Sequence, residues 1–155
     1  MSKLHVDIDS SPTEIRMTRE FNAPRRLVLK AMTTPELVKK WMGAKRGTVT
    51  ESVHELRPGG SYRNAFRTNE GFEFFFSGTY HEVSDERIVF TERFNGDPNA
   101  ESRITLTLVE TSGKTTMTMV MSFATQELRD TVVKTGMADG AGEAYDELDA
   151  LLANL

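Results

Sequence analysis

The 155-residue chain has no cysteine, one tryptophan, three histidines and no long apolar run. Without cysteine there is no disulfide framework, thiolate metal cluster or cysteine nucleophile, which suits a reducing cytoplasm. His5, His54 and His81 are scattered, with neither HExxH nor a paired-histidine spacing. No metal site is therefore expected, and solvated sheet positions are the ordinary reading of His54 and His81. The N-terminal MSKLHVDIDSS lacks the apolar core of a signal peptide, and no apolar stretch approaches a bilayer span. A cytoplasmic protein that does not associate with membranes is expected. No serine sits in a GxSxG elbow, and the glycines of Gly43-Ala44-Lys45-Arg46-Gly47 and Gly59-Gly60 fit neither the P-loop nor the dinucleotide fingerprint. Nucleotide chemistry is thus not expected, nor is any cofactor. Basic residues number 19 against 23 acidic, a net charge of −4 and a pI near 5.4, where a nucleic-acid binder usually shows a basic surplus.

What the chain does contain, 38% hydrophobic and 27% charged residues, describes one globular domain. Residues 1–12 are polar, aperiodic and end in Ser-Ser-Pro, so they read as a flexible tail ahead of a domain over 13–155. Alternation from Ile15 to Arg19 predicts a first strand ending at Phe21. Pro24 and the helical spacing of Leu27, Val28 and Ala31 predict a short helix. Thr34-Pro35-Glu36 predicts the start of a second, carrying Leu37, Val38 and Trp41. From Gly47 to Phe123 alternation is broken by turn clusters such as Arg57-Pro58-Gly59-Gly60 and Asn95-Gly96-Asp97-Pro98, which predicts a six-strand antiparallel meander and about seven strands in all. Thr125 caps a short helix that Gly136 stops. A final helix then places Met137, Ala141, Ala144, Tyr145, Leu148, Leu151, Leu152 and Leu155 on one stripe. That stripe is the expected cover for the face shared by Ile104, Leu106, Leu108, Met117, Met119, Met121 and Phe123.

This order of elements is that of an α+β helix-grip fold, in which a curved antiparallel sheet wraps around a C-terminal helix. Phe21-x-Ala23-Pro24, Thr34-Pro35-Glu36-Leu37 with Trp41, Leu56-Arg57-Pro58-Gly59-Gly60, Gly78-x-Tyr80-x-Glu82-Val83, Arg87-Ile88-Val89-Phe90-Thr91 and Gly136-Met137-x-x-Gly140 resemble the activator of heat-shock-90 ATPase homologue-like family, in the START-like (SRPBCC, Bet v-like) superfamily. The resemblance covers nearly all of 13–155. It implies a ligand-binding protein, a cyclase-like or hydrolytic enzyme, or a chaperone-interaction module, and fold alone does not choose among them. One departure is local: after Gly140 the family often carries Trp, and here Ala141 stands.

Charge and aromatic content supply the remaining signals. Residues 25–46 hold seven cations against Glu36, a balance of +6, and residues 127–149 hold seven acids against Arg129 and Lys134, a balance of −5. Two solvated helical faces account for this, so no chaperone interaction is expected; a homodimer is compatible with the sequence. Glu51, Glu73 and Glu82 are the strand acids that could point inward, although solvated positions are the ordinary reading. Phe72-Glu73-Phe74-Phe75-Phe76 puts aromatics on both faces of one strand, and a register slip would exchange Phe74 and Phe76 for Phe75. The first half of the last helix, Met137-Ala-Asp-Gly-Ala-Gly-Glu-Ala, offers small side chains to a curved sheet. Interiors pack densely, so such a helix either approaches the sheet closely or leaves room for a ligand. The expected function is binding of an apolar or aromatic small molecule there. Trp41, Tyr62, Phe74, Phe76, Tyr80, Met119, Met121, Ala141 and Tyr145 are the expected lining, with tyrosine hydroxyls orienting the ligand.

Overall fold

Period-two alternation in the middle of the chain resolves into one antiparallel sheet. The structure is a computed structural model and describes residues 3–155. Strands β1 (His5–Asp7), β2 (Glu14–Phe21), β3 (Gly47–His54), β4 (Ser61–Thr68), β5 (Glu73–Val83), β6 (Arg87–Phe94), β7 (Glu101–Thr111) and β8 (Lys114–Phe123) lie in the order β1-β2-β8-β7-β6-β5-β4-β3. Helices α1 (Arg25–Thr33) and α2 (Pro35–Trp41) separate β2 from β3, and α3 (Gln126–Lys134) and α4 (Met137–Leu152) follow β8. Register shifts at Val49/Glu51 and Tyr80/Glu82 mark bulges, which bend β3 and β5. The result is the helix-grip architecture, with α4 lying in the concave face.

The sheet has eight strands where about seven were expected. His5–Asp7, read from sequence as part of the tail, pairs with β2 in the register Val6↔Met17. Three residues are too few for periodicity to reveal. Arg129 of α3, 7% exposed, holds the segment behind β1: its Nη1 donates to the carbonyls of Ile8 (2.6 Å), Ser11 (3.0 Å) and Glu14 (3.1 Å). Local chemistry sets the helix boundaries. Thr125 Oγ1 accepts from Leu128 N at 3.1 Å, capping α3, and Gly136, at φ +75°, turns the chain into α4. Thr34 differs, because its side chain makes no capping bond and α2 begins instead on the preset backbone of Pro35. Helix α4 ends at Leu152, so Leu155 falls outside the apolar stripe and is exposed.

Inward positions of β2, β7 and β8 are filled by Ile15, Met17, Phe21, Ile104, Leu106, Leu108, Met117 and Met121, all buried. The second half of α4 sets Tyr145, Leu148 and Leu152 against the core. One inward position is ionic. Arg19, 1% exposed, donates from Nη1 to Asp146 (2.6 Å) and from Nη2 to Asp149 (3.4 Å) on α4, while its guanidinium lies 5.4 Å from the Phe21 ring centre. Removing both acids leaves a buried guanidinium uncompensated, which typically costs about 3–5 kcal/mol. Asp146→Asn/Asp149→Asn should therefore lower unfolding free energy in urea by about that amount, and by more than Arg19→Met, which removes the charge as well. A loss near zero for the double variant would show that water, not α4, solvates Arg19.

Candidate functional site

In the first half of α4, Met137 and Ala141 touch the cluster of Ile15, Met17, Ile104, Met121 and Phe123, but Gly140, Ala141 and Ala144 are too small to fill the space over the rest of the sheet. A cavity of about 430 Å³ lies beneath Gly140, Ala141 and Ala144. Its wall is built from the inward positions of β4 to β8, with Trp41 and Met42 at the C-terminal end of α2 and the exposed Arg46 and Arg67 at the rim. All nine residues expected as lining stand on this wall: Trp41, Tyr62, Phe74, Phe76, Tyr80, Met119, Met121, Ala141 and Tyr145. The β5 register places Phe74 and Phe76 inward. Phe75 faces outward under the Arg63 guanidinium, 3.7 Å from its ring centre, and Phe72 is 71% exposed. Phe66, Phe74, Phe76 and Phe94 form a ring cluster with centroids 5.1–5.9 Å apart. Trp41 donates from Nε1 to Ala31 O at 2.9 Å, which satisfies its polar edge, and stacks on Tyr145 at 6.0 Å.

The tyrosine hydroxyls, expected to orient a ligand, are engaged by protein groups. Tyr80 Oη lies 2.7 Å from His54 Nδ1, whose Nε2 is 3.2 Å from Asn64 Oδ1, which also accepts from Ser52 Oγ at 2.8 Å. With Asn64 Oδ1 as acceptor, His54 donates from Nε2 and Tyr80 donates to Nδ1. Burial lowers the His54 pKa, against the opposing hydrogen bond to Asn64, which favours the neutral ring this relay needs. Tyr145 Oη is 4.0 Å from Met119 Sδ, a weak acceptor. Burial raises the pKa of all three phenols, with the Glu92 charge adding to it, so they remain protonated.

Glu92 is the exceptional residue. Tyr62, Gly78 and Glu92 face one another across β4, β5 and β6, and Tyr62 Oη reaches over Gly78 to donate to Glu92 Oε1 at 3.0 Å. A Cβ at Gly78 would stand 3.0 Å from Tyr62 Cε1 and strike the Thr91 backbone, so the crossing requires glycine. No cation pairs with Glu92 among the described residues. Flanked on its own strand by Phe90 and Phe94, it is half-buried on the cavity wall, and burial pushes its pKa up to about 7 despite the bond from Tyr62. Sequence reasoning looked to Glu51, Glu73 and Glu82, which point outward to Arg63, Arg67 and Arg87. It also missed His54, Asn64 and Phe66. The signal for Glu92 was present in Ile88-x-Phe90-x-Glu92-x-Phe94, whose alternation puts the acid on the apolar face.

A sheet gripping a helix over an apolar cavity defines a START-like domain. The family model for activator of Hsp90 ATPase homolog 1-like protein matches residues 22–153, and the chain belongs to that family. A crystal structure of a Rhodobacter sphaeroides protein is 30% identical, with TM-score 0.90 over 99% of each chain. One from Nitrosomonas europaea is 28% identical, with TM-score 0.83 over 93% of this chain and 96% of that one. The solution structure of an AHSA1-like protein from Aeromonas hydrophila, 16% identical with TM-score 0.66 over 90% and 92%, shares the fold. No curated protein matches. No helix is long and apolar enough to cross a membrane among the described residues.

Glu92 makes stability depend on pH. Its pKa is 4.5 in the ordinary state and about 7 when folded, so the folded chain retains a proton that the unfolded chain has released. Stability should fall as pH rises through this window and level off above it, by on the order of 3 kcal/mol. Glu92→Gln keeps an acceptor for Tyr62 and removes the charge. It should match wild type at pH 4 and exceed it in urea at pH 8; equal stability at both pH values would show that the carboxylate is solvated.

Proposed function

We propose that the protein binds an apolar or aromatic small molecule in the cavity between the sheet and α4. The observation that carries this reading is the mismatch between a curved, aromatic-rich wall and the Gly140, Ala141 and Ala144 side of the helix. Neither closes on the other, and the volume left is within the usual range for ligand pockets, roughly 300–1,000 Å³. The nine lining residues supply the contact surface, and a cytoplasmic location fits a chain without cysteine. Because Glu92 can exchange a proton near neutral pH, the same cavity supports a second reading as an acid–base enzyme, which turnover of a bound compound would establish.

Ala141→Trp tests the cavity. A packed interior would make the larger side chain cost about 1–3 kcal/mol. An open one accepts the indole, so the variant should unfold in urea near wild type and lose binding of prodan, an uncharged naphthalene fluorophore. Strong destabilisation, or unchanged prodan binding in a stable variant, would remove the cavity from the account.

The family description raises a chaperone role, for which Lys39 and Lys40, exposed on α2, would be the docking charges. Solvation explains these residues as well. The protein should leave the ATPase rate of a cognate Hsp90 unchanged; salt-sensitive stimulation abolished in Lys39→Glu/Lys40→Glu would establish docking instead.

A further inference from the structure

We propose, building on the cavity reading above, that the ligand is a hydrophobic amine bound as its cation, with the ammonium on the Glu92 carboxylate and the apolar body against the aromatic wall. The inventory of cavity charges leads there. Ser52, Asn64, His54 and Tyr80 satisfy one another in a relay, and Tyr62 is committed to Glu92. The rim cations are also taken: Arg46 grips Glu143 through Nε (3.0 Å) and Nη2 (2.6 Å), and Arg67 bonds Glu73 through Nε (3.1 Å) and Nη2 (3.0 Å). The cavity thus offers an acid without a cation among the described residues, and no uncommitted cation for an anionic ligand.

The surroundings of that acid suit an ammonium. Phe90 and Phe94 flank it along β6, and the Tyr62 ring meets Phe90 edge-on at 5.4 Å. Aromatic faces attract a desolvated cation through their quadrupole, and the carboxylate adds a charge-assisted hydrogen bond. Gly78, opposite Glu92 on β5, contributes no side chain to obstruct it, and Ser102 stands opposite on β7. The titratable groups facing Glu92 are Tyr62 on β4, Tyr80 on β5 and Tyr145 on α4, with His54 on β3 beyond Tyr80. The phenols remain neutral and burial lowers the His54 pKa, so ionisation of Glu92 is the change that adds negative charge here as pH rises between 5 and 8. An amine cation that needs the ionised acid binds more tightly as pH rises through that range.

Three matched probes separate charge from shape: 4-phenylbutylamine, 4-phenylbutan-1-ol and 4-phenylbutyrate, followed by quenching of Trp41, the single tryptophan and a wall residue, and by calorimetry. At pH 8 the amine should bind at least tenfold more tightly than the alcohol, with the butyrate weakest. That advantage should shrink severalfold at pH 5 and vanish in Glu92→Gln, which still binds the alcohol. An alcohol equal to the amine, a preference for the butyrate, or an amine advantage intact in Glu92→Gln would overturn the assignment. The pH dependence in wild-type protein decides the matter if the variant fails to fold. Prodan binding without amine preference overturns only this charge assignment. Failure of prodan and all three probes overturns the cavity reading with it.

Discussion

One helix must close a wide curved sheet, and it has large side chains for only half its length. Every other feature of the molecule follows from how that shortage is met. The second half of α4 is fixed by Tyr145, Leu148 and Leu152 and by the Arg19 pairs with Asp146 and Asp149. With the helix held there, its first half stands over β4 to β8 on Gly140, Ala141 and Ala144, and the bulges in β3 and β5 curve the sheet around the space. Dense packing on one side of Tyr145 and a cavity on the other are two consequences of a single docking geometry.

Polar groups in this interior divide into those that serve the fold and one that strains it. Arg19 and Arg129 are nearly inaccessible and fully engaged, the first joining α4 to β2 and the second joining α3 to the chain before β2. The relay from Ser52 to Tyr80 likewise satisfies itself. Glu92 alone keeps a single donor, Tyr62, and burial raises its pKa despite that bond, so its ionisation opposes folding. The row Tyr62, Gly78, Glu92 shows how the sheet achieves this: a missing Cβ on the middle strand lets a phenol cross to the next one.

The architecture was legible because alternation and turn chemistry are local. Arg57-Pro58-Gly59-Gly60 and Thr125 announced their turn and cap, and the Met117 to Phe123 stripe announced a covered face. His5–Asp7 was not legible, because a three-residue edge strand has no periodicity, and the segment that follows it is held by carbonyl bonds to Arg129, more than a hundred positions away. The cavity wall could be read from side-chain size: a small-residue helix against an aromatic strand. Glu92 and His54 could not be so read, because alternation says which face a residue takes and says nothing of whether a polar side chain there finds a solvated edge or a closed interior. That distinction is made by neighbours on other strands.

The claim that an acid sits inside a water-poor, apolar cavity is open to direct observation. Carbon-13 NMR of the glutamate side-chain carboxyls, with Glu92→Gln to assign the resonance, gives its ionisation without reference to stability or ligand. The account expects Glu92 to titrate at about 7. A midpoint near the ordinary glutamate value of 4.5 would contradict it, since a carboxyl that ionises there is hydrated rather than buried against the apolar wall.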